Sequence, residues 1–460
     1  MPPLGAIIET LLIVGGLVAQ WLWLPHSSTQ ADAGYRLDDL TQLLQHHVLT
    51  NDRYSLIGPL FSTPLWLLGR VNQTPTWWLA RFNLFVFAAG LLLLYRLLRP
   101  RVDGGLVRGF LLILTAASMF PNHLENYYGE VFTAICVGVG VLAAVIGGRA
   151  RAVIGWVAVA VGVANAPATL VGLGLVALRR MFSQRRWRYA LAGVGAAALV
   201  GAEAWLRRGS PFATGYAGDQ GVRTIMPFSA HPGFSYPFWF GLLAIILSFG
   251  KGLLFFAPGI LLPVKSAILA LRSALKHELL EVYELWLAFV VGLVLVYASW
   301  WAWYGGWTWG PRFFLFASIP ASFAVALHLR DRASSLPLNL LTLLVLLLSF
   351  WVGINGAVFG QADLAPTCLY NNFAQEQLCW FTPDFSVLWH PLVVAYQSGW
   401  HWNVFARTEG LTPAYLGYIG YSVLALVYLA APLALRTGRQ AWSAARTWAE
   451  GNLKLVVTRF

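Results

Sequence analysis

Charge is what this 460-residue sequence has least of: Asp, Glu, Lys and Arg make up 11% of it, against about a quarter of an ordinary soluble domain. With 58% of residues hydrophobic and a mean hydropathy of +0.64, a soluble globular protein is excluded. Acidic residues are the scarcer sign, 19 against 31 basic ones. The resulting +12 does not point to nucleic acid, because the Lys and Arg residues fall in short clusters between apolar runs, the pattern of a membrane protein oriented by cytoplasmic cations. Nucleotide signatures are also missing. Without a P-loop or a Rossmann glycine pattern, neither ATP nor a nucleotide sugar has a candidate site. His46, His47, His123, His231, His390 and His401 all fall on the outer side of the topology derived below, and none has metal-ligand spacing such as HExxH, so no metal is indicated. Cysteine is sparse as well, at three residues. Cys136 sits inside an apolar run, while Cys368 and Cys379 share the last outer loop, where an oxidising compartment permits a disulfide between them.

Apolar runs are what the chain has in quantity. A spanning helix needs about 20 apolar residues, and there are enough for roughly ten to twelve. The first run, Leu4 to Leu24, lacks a basic leader and a small-residue cleavage site before His26, so it reads as a retained helix and not a signal peptide. With Lys and Arg placed inside, Leu4 to Leu24 runs outward, Ala80 to Leu98 returns, Leu106 to Phe120 goes out and Val131 to Ile146 comes back. Val153 to Leu178 is broken at Asn165-Ala166-Pro167 and flanked by arginines at both ends, which predicts a hairpin of two short helices. Tyr189 to Leu206 then goes out, Leu253 to Leu271 returns, Leu285 to Trp303 goes out, Phe313 to Leu327 returns, Leu336 to Phe359 goes out and Tyr415 to Leu435 ends inside. The expectation is an all-α polytopic membrane protein of about twelve passes, with both termini cytoplasmic. Residues 1–330 form one transmembrane module, and residues 331–460 add further helices, an outer loop over 360–413 and a basic cytoplasmic tail.

Most basic residues are explained by this orientation. Arg36, Arg53, Arg70, Arg81, Arg207, Arg208, Arg223, Lys251, Arg312 and Arg407 are not. A cation on the outer side is either a solvated loop residue or the partner of an anion at the membrane face. Three outer segments are long: His26 to Leu79, Arg207 to Gly252 and Gly360 to Pro413. In the first, Leu37, Leu40, Leu44 and Val48 share a helical face opposite Asp38, Gln42 and Gln45, which predicts an amphipathic helix lying on the membrane surface. Asp38 and Asp39 fall at its expected start, as a cap with favourable dipole charge or as a catalytic base whose pKa is raised at the lipid boundary.

The segment Asp52-Arg53-Tyr54-Ser55-Leu56-Ile57-Gly58-Pro59-Leu60, continuing to Pro64-Leu65-Trp66-Leu67-Leu68-Gly69, resembles a stretch that follows the first acidic motif in bacterial membrane glycosyltransferases of the GT-C superfamily. The likeness is to the polyprenyl-phosphate-sugar-dependent group, which includes protein mannosyltransferase-like and aminoarabinose-transferase-like enzymes. Later stretches agree in order. Tyr127-Tyr128-Gly129-Glu130-Val131 resembles the second-loop acidic motif, Phe249-Gly250-Lys251-Gly252-Leu253-Leu254-Phe255-Phe256-Ala257-Pro258 a basic turn followed by a returning helix, and Trp303-Tyr304-Gly305-Gly306-Trp307-Thr308-Trp309-Gly310-Pro311-Arg312-Phe313 a Trp-Gly-Pro-Arg turn. The chain has Asp-Asp where an Asp-Glu pair is common in several branches. The resemblance implies a GT-C-like fold with amphipathic helices in the first outer loop and a polyprenyl-phosphate sugar as donor. No cofactor is implied beyond that lipid-linked substrate.

The chemistry of such a transfer asks for outer cations beside outer carboxylates: the leaving phosphate must be met while an acceptor hydroxyl or amine loses its proton. Asp38 or Asp39 is accordingly the candidate base and Glu130 the second acid. Lys251 and Arg312 are the expected phosphate ligands, with Arg81 and Arg223 behind them; all four must converge on one outer cavity. The alternative is a transporter or flippase for a lipid-linked or small polar substrate, which calls for mid-membrane charge or an internal repeat. The ionisable residues instead collect at outer ends, apart from Glu9, Glu203 and the break at Asn165.

Overall fold

The computed structural model describes residues 3–393 and 413–457, so Arg407, His401 and Arg459 lie outside it, as does 394–412 of the last outer loop. Among the described residues the structure is helical throughout, with one isolated parallel bridge between Ser27 and Asn126 that ties the first outer loop to the second. Within the described residues, six helices are long and apolar enough to cross a bilayer, and four more are apolar but shorter. The chain is an all-helical multi-pass membrane protein.

Helix α1 (Leu4–Trp23) leads into the first long loop and its helix α2 (Asp32–Thr41). After three short helices come α3 (Phe82–Leu98), α4 (Gly104–Ala116) and α5 (Glu130–Ile146). The hairpin follows as α6 (Arg149–Ala164) and α7 (Leu170–Gln184), broken where Asn165 and Pro167 predict. Helices α5 and α6 pack through facing glycines: a Cβ on Gly155 would lie 2.5 Å from the Gly140 carbonyl. Small residues that let backbones touch are what holds helices together where lipid offers no hydrophobic drive.

Helix α8 (Ala190–Arg208) completes the first half. The run expected as a single span over 253–271 is not one helix. Pro258 and Pro263 each remove a backbone donor, and the segment is broken into Leu253–Phe256, Pro258–Leu261 and Val264–Leu269, preceded by a separate apolar helix α9 (Phe238–Leu247). Helix α10 (Lys276–Tyr297) begins and ends earlier than the apolar run 285–303 suggests, leaving 298–311 as an irregular outer turn. A short 3-10 segment, Arg312–Ala317, feeds directly into α11 (Ser318–Arg330), whose side chains are buried over nearly its whole length. Arg312 is therefore mounted on the centre of the bundle. Helix α12 (Leu336–Ile354), the short α13 (Glu376–Phe381) and the long α14 (Pro413–Val457) complete the chain.

The amphipathic reading of the first loop holds for Leu37, Leu40 and Leu44, which pack with Trp66, Leu79, Phe82 and Tyr127. It fails at Val48, which is exposed beyond the left-handed His47 that ends the helix. It also misplaces the acids: α2 starts at Asp32, so Asp38 and Asp39 lie in its second turn and cap nothing.

Candidate active site

Residues 32, 36 and 39 are spaced to fall on one face of α2, and that face turns inward. Asp32, in the first turn, where an anion is favoured by the helix dipole, accepts through Oδ2 from Arg312 Nη1 at 2.6 Å and through Oδ1 from the Tyr54 hydroxyl at 2.7 Å. On the other side of Arg312, its Nε lies 3.7 Å from Oε1 of Glu130, in the first turn of α5. The Tyr128 ring flanks the guanidinium at 5.5 Å. One cation thus stands between two carboxylates drawn from separate parts of the chain. Burial resists ionisation of Asp32, but Arg312, Tyr54 and Arg36 outweigh it and hold the carboxyl below its usual range. The preceding turn needs its glycines, since Gly305, Gly306 and Gly310 have φ of 79°, 74° and 63°.

Asn165, the residue at the hairpin break, joins the pieces. Buried at the end of α6, it accepts from Gly58 N at 3.0 Å and from Arg36 Nη1 at 3.4 Å, and donates to Gly129 O at 2.9 Å and Thr133 Oγ1 at 3.1 Å. It therefore binds the segment after α2 to the segment that presents Glu130. A Cβ on Gly129 would stand 2.7 Å from Arg36 Nη2, so that junction has no room to spare.

The other predicted residues are distributed differently. Asp38 is exposed, and no side-chain bond to it occurs among the described residues. Asp39 is buried against Arg207, Oδ2 to Nη2 at 2.7 Å, with Thr50 donating to its other oxygen; Arg207 also reaches Glu203 at 2.9 Å and the carbonyl of Thr50 at 2.9 Å. These bonds tie α2 and the 50–56 loop to α8, with Glu203 accepting from Ser55 and Leu56, and Asp39 is the strut that α2 contributes. Lys251 is buried, with Nζ 2.6 Å from Thr308 O, 2.9 Å from Gly310 O and 3.4 Å from Gly306 O. Arg81 lies on the Trp77 ring and bonds its own helix at Trp77 O. Arg223 is exposed. Cys368 and Cys379 form the disulfide. Of the predicted set, the structure brings Glu130 and Arg312 into one site; it adds Asp32, which the sequence reading does not single out, together with Tyr54 of the Asp52–Leu60 motif and Arg36, one of the cations that the orientation leaves unexplained.

A second feature lies between α9 and the disulfide loop. Tyr236, Phe240, Leu243, Leu247, Ser248, Phe249 and Phe381 line a groove of about 450 Å³, beside apolar side chains of α9 that remain exposed, Trp239, Phe240, Leu243 and Leu247 among them. Behind it Glu376 is buried. Burial pushes its carboxyl up to about 7, against the opposing pull of the nearby Tyr304, Thr224 and Trp380 side chains.

No family model and no curated protein matches this chain. Among solved structures it is similar to ArnT from Cupriavidus metallidurans bound to undecaprenyl phosphate, with a TM-score of 0.52 at 15% identity over 93% of this chain and 77% of that one. The same protein in its apo state matches at a TM-score of 0.49 and 14% identity, over 93% and 76% of the two chains. The likeness covers most of the chain, and what it shows is the fold: this chain shares the helical membrane-protein fold of that structure.

Proposed function

We propose that this protein is a membrane glycosyltransferase that moves a sugar from a polyprenyl-phosphate donor to an acceptor hydroxyl or amine, at a site on the outer face of the cytoplasmic membrane, with both termini inside. The observation that carries the reading is Arg312 held between Asp32 and Glu130, a cation and two carboxylates converging from three parts of the chain. Similarity of the fold to a protein solved with undecaprenyl phosphate supports the donor class. The apolar groove along α9 supplies a place for a lipid tail.

In this reading Arg312 meets the donor phosphate with its planar fork and the charge that develops on it as the glycosidic bond breaks. The phosphate competes with Asp32 for the guanidinium. As that ion pair loosens, Asp32 loses the contact that depresses its proton affinity and takes the proton of the acceptor nucleophile. Glu130, bound to Arg312 only loosely, keeps oxygens open to orient that nucleophile. Asp32 thus replaces Asp38 and Asp39 as the base. The test is transfer from undecaprenyl-phosphate sugars by purified protein in nanodiscs: Asp32→Asn and Arg312→Gln should abolish it while Asp38→Asn leaves it near wild type. An Asp32→Asn protein of full activity overturns the assignment.

A further inference from the structure

Lys251 is placed where a phosphate ligand could stand, and yet no proton of it is left for one. Its ammonium carries three N–H donors, and three carbonyls of the 306–310 turn, those of Gly306, Thr308 and Gly310, lie at 3.4, 2.6 and 2.9 Å. Its remaining face is covered by the Trp380 ring, 4.7 Å from Nζ. Burial, and Arg312 after it, pull the amine well below the usual lysine range. The carbonyls pull the other way, because a neutral amine has two N–H donors for three acceptors and turns its lone pair on the third. Trp380 is fixed in turn. It stacks on Tyr304 at 4.8 Å, its carbonyl accepts from Gly250 N at 3.0 Å, and its neighbour Cys379 is bonded to Cys368. Two residues beyond Gly310, the same turn delivers Arg312 to Asp32 and Glu130.

We propose that Lys251 is a positioning residue: with Trp380 and the disulfide behind it, it fixes the glycine turn that aims Arg312, and it does not itself contact the donor phosphate. Arg312's role rests on the function proposed above. The placement of Lys251 does not.

Two measurements on the full-length protein in nanodiscs decide it, with undecaprenyl phosphate as the probe. In a double-mutant cycle, Lys251→Met should weaken binding roughly tenfold or more, as for loss of charged hydrogen bonds. In an Arg312→Gln background the same change should cost less than about twofold, because the effect runs through Arg312. An undiminished loss in that background means that Lys251 touches the phosphate directly, and overturns the proposal. Should Lys251→Met fail to fold, wild-type protein treated with acetic anhydride gives the answer. Exposed Lys265 should be labelled and Lys251 should not, with or without the probe. Labelling of Lys251 in the free protein overturns the proposal. If the probe does not bind wild type at all, the donor assignment falls, and the labelling result alone then supports or overturns the placement of Lys251.

Discussion

Replacing Asp32 by Asn should make the protein bind its donor lipid more tightly while stopping it from turning over. The charge removed is the one that competes with phosphate for Arg312. Two unit charges about 4 Å apart interact by roughly 4 kcal/mol at an effective dielectric of 20. The pair here is only partly buried, with side chains 12% and 20% exposed, and Asn retains an oxygen for the guanidinium, so about 1–2 kcal/mol of competition is a better figure. That corresponds to roughly five- to thirtyfold tighter binding of undecaprenyl phosphate. Transfer should fall by about 10² to 10⁴, the usual worth of a general base. Binding is read by titrating undecaprenyl phosphate into the protein in nanodiscs at fixed ionic strength, and turnover in parallel. Weaker or unchanged binding in Asp32→Asn refutes the idea that Asp32 and the phosphate share Arg312.

The two acids first expected at the site should separate cleanly in a thermal-unfolding comparison. Asp38→Asn should stay within about 0.5 kcal/mol of wild type, as an exposed substitution does. Asp39→Asn should be destabilising by up to about 3 kcal/mol, because it strips one partner from buried Arg207 while Glu203 remains. Reduction of the Cys368–Cys379 disulfide should lower stability by about 3 kcal/mol on the chain-entropy account, as its loop closes residues 11 apart, and should leave alkylation of both thiols as the marker. Glu376 binds its proton more tightly folded, at about 7, than unfolded, near 4.5. Its contribution is therefore full below the unfolded value and declines as pH rises from about 4.5 to 7, by roughly 3 kcal/mol in all. Glu376→Gln should remove that part of the melting-temperature profile, and an unaltered profile would show that the acid is not buried as described.

Much of the fold is legible because a membrane imposes few choices. Runs such as Ala80 to Leu98, Val131 to Ile146 and Leu336 to Phe359 have no proline or charge in their middle able to end them early, and the break at Asn165-Ala166-Pro167 announces the hairpin. Where apolar composition and backbone chemistry disagree, composition misleads. The run 253–271 is apolar enough to span, but Pro258 and Pro263 deny it a continuous hydrogen-bond ladder, and α9 lies apart from it. The run 285–303 misleads at both ends, since α10 extends back to Lys276, through Glu278, Glu281 and Glu284, and stops short of the aromatic turn.

The site was legible in its motifs and obscure in its geometry, and the reason is the register of α2. Adjacent carboxylates at 38 and 39 catch the eye, but neighbours on a helix point about 100° apart and do not act together. One of them faces solvent, and the other is taken by Arg207 on α8. The informative pattern is the i, i+4, i+7 series Asp32, Arg36, Asp39, in which a polar face turned inward is itself the anomaly on a surface helix. Reading that face would have recovered Asp32 and Arg36. It would not have recovered Lys251, whose sequence setting between two glycines suits a phosphate as well as it suits three carbonyls. Only the folded turn at 306–310 shows which acceptors it serves, and that they leave it no donor to spare.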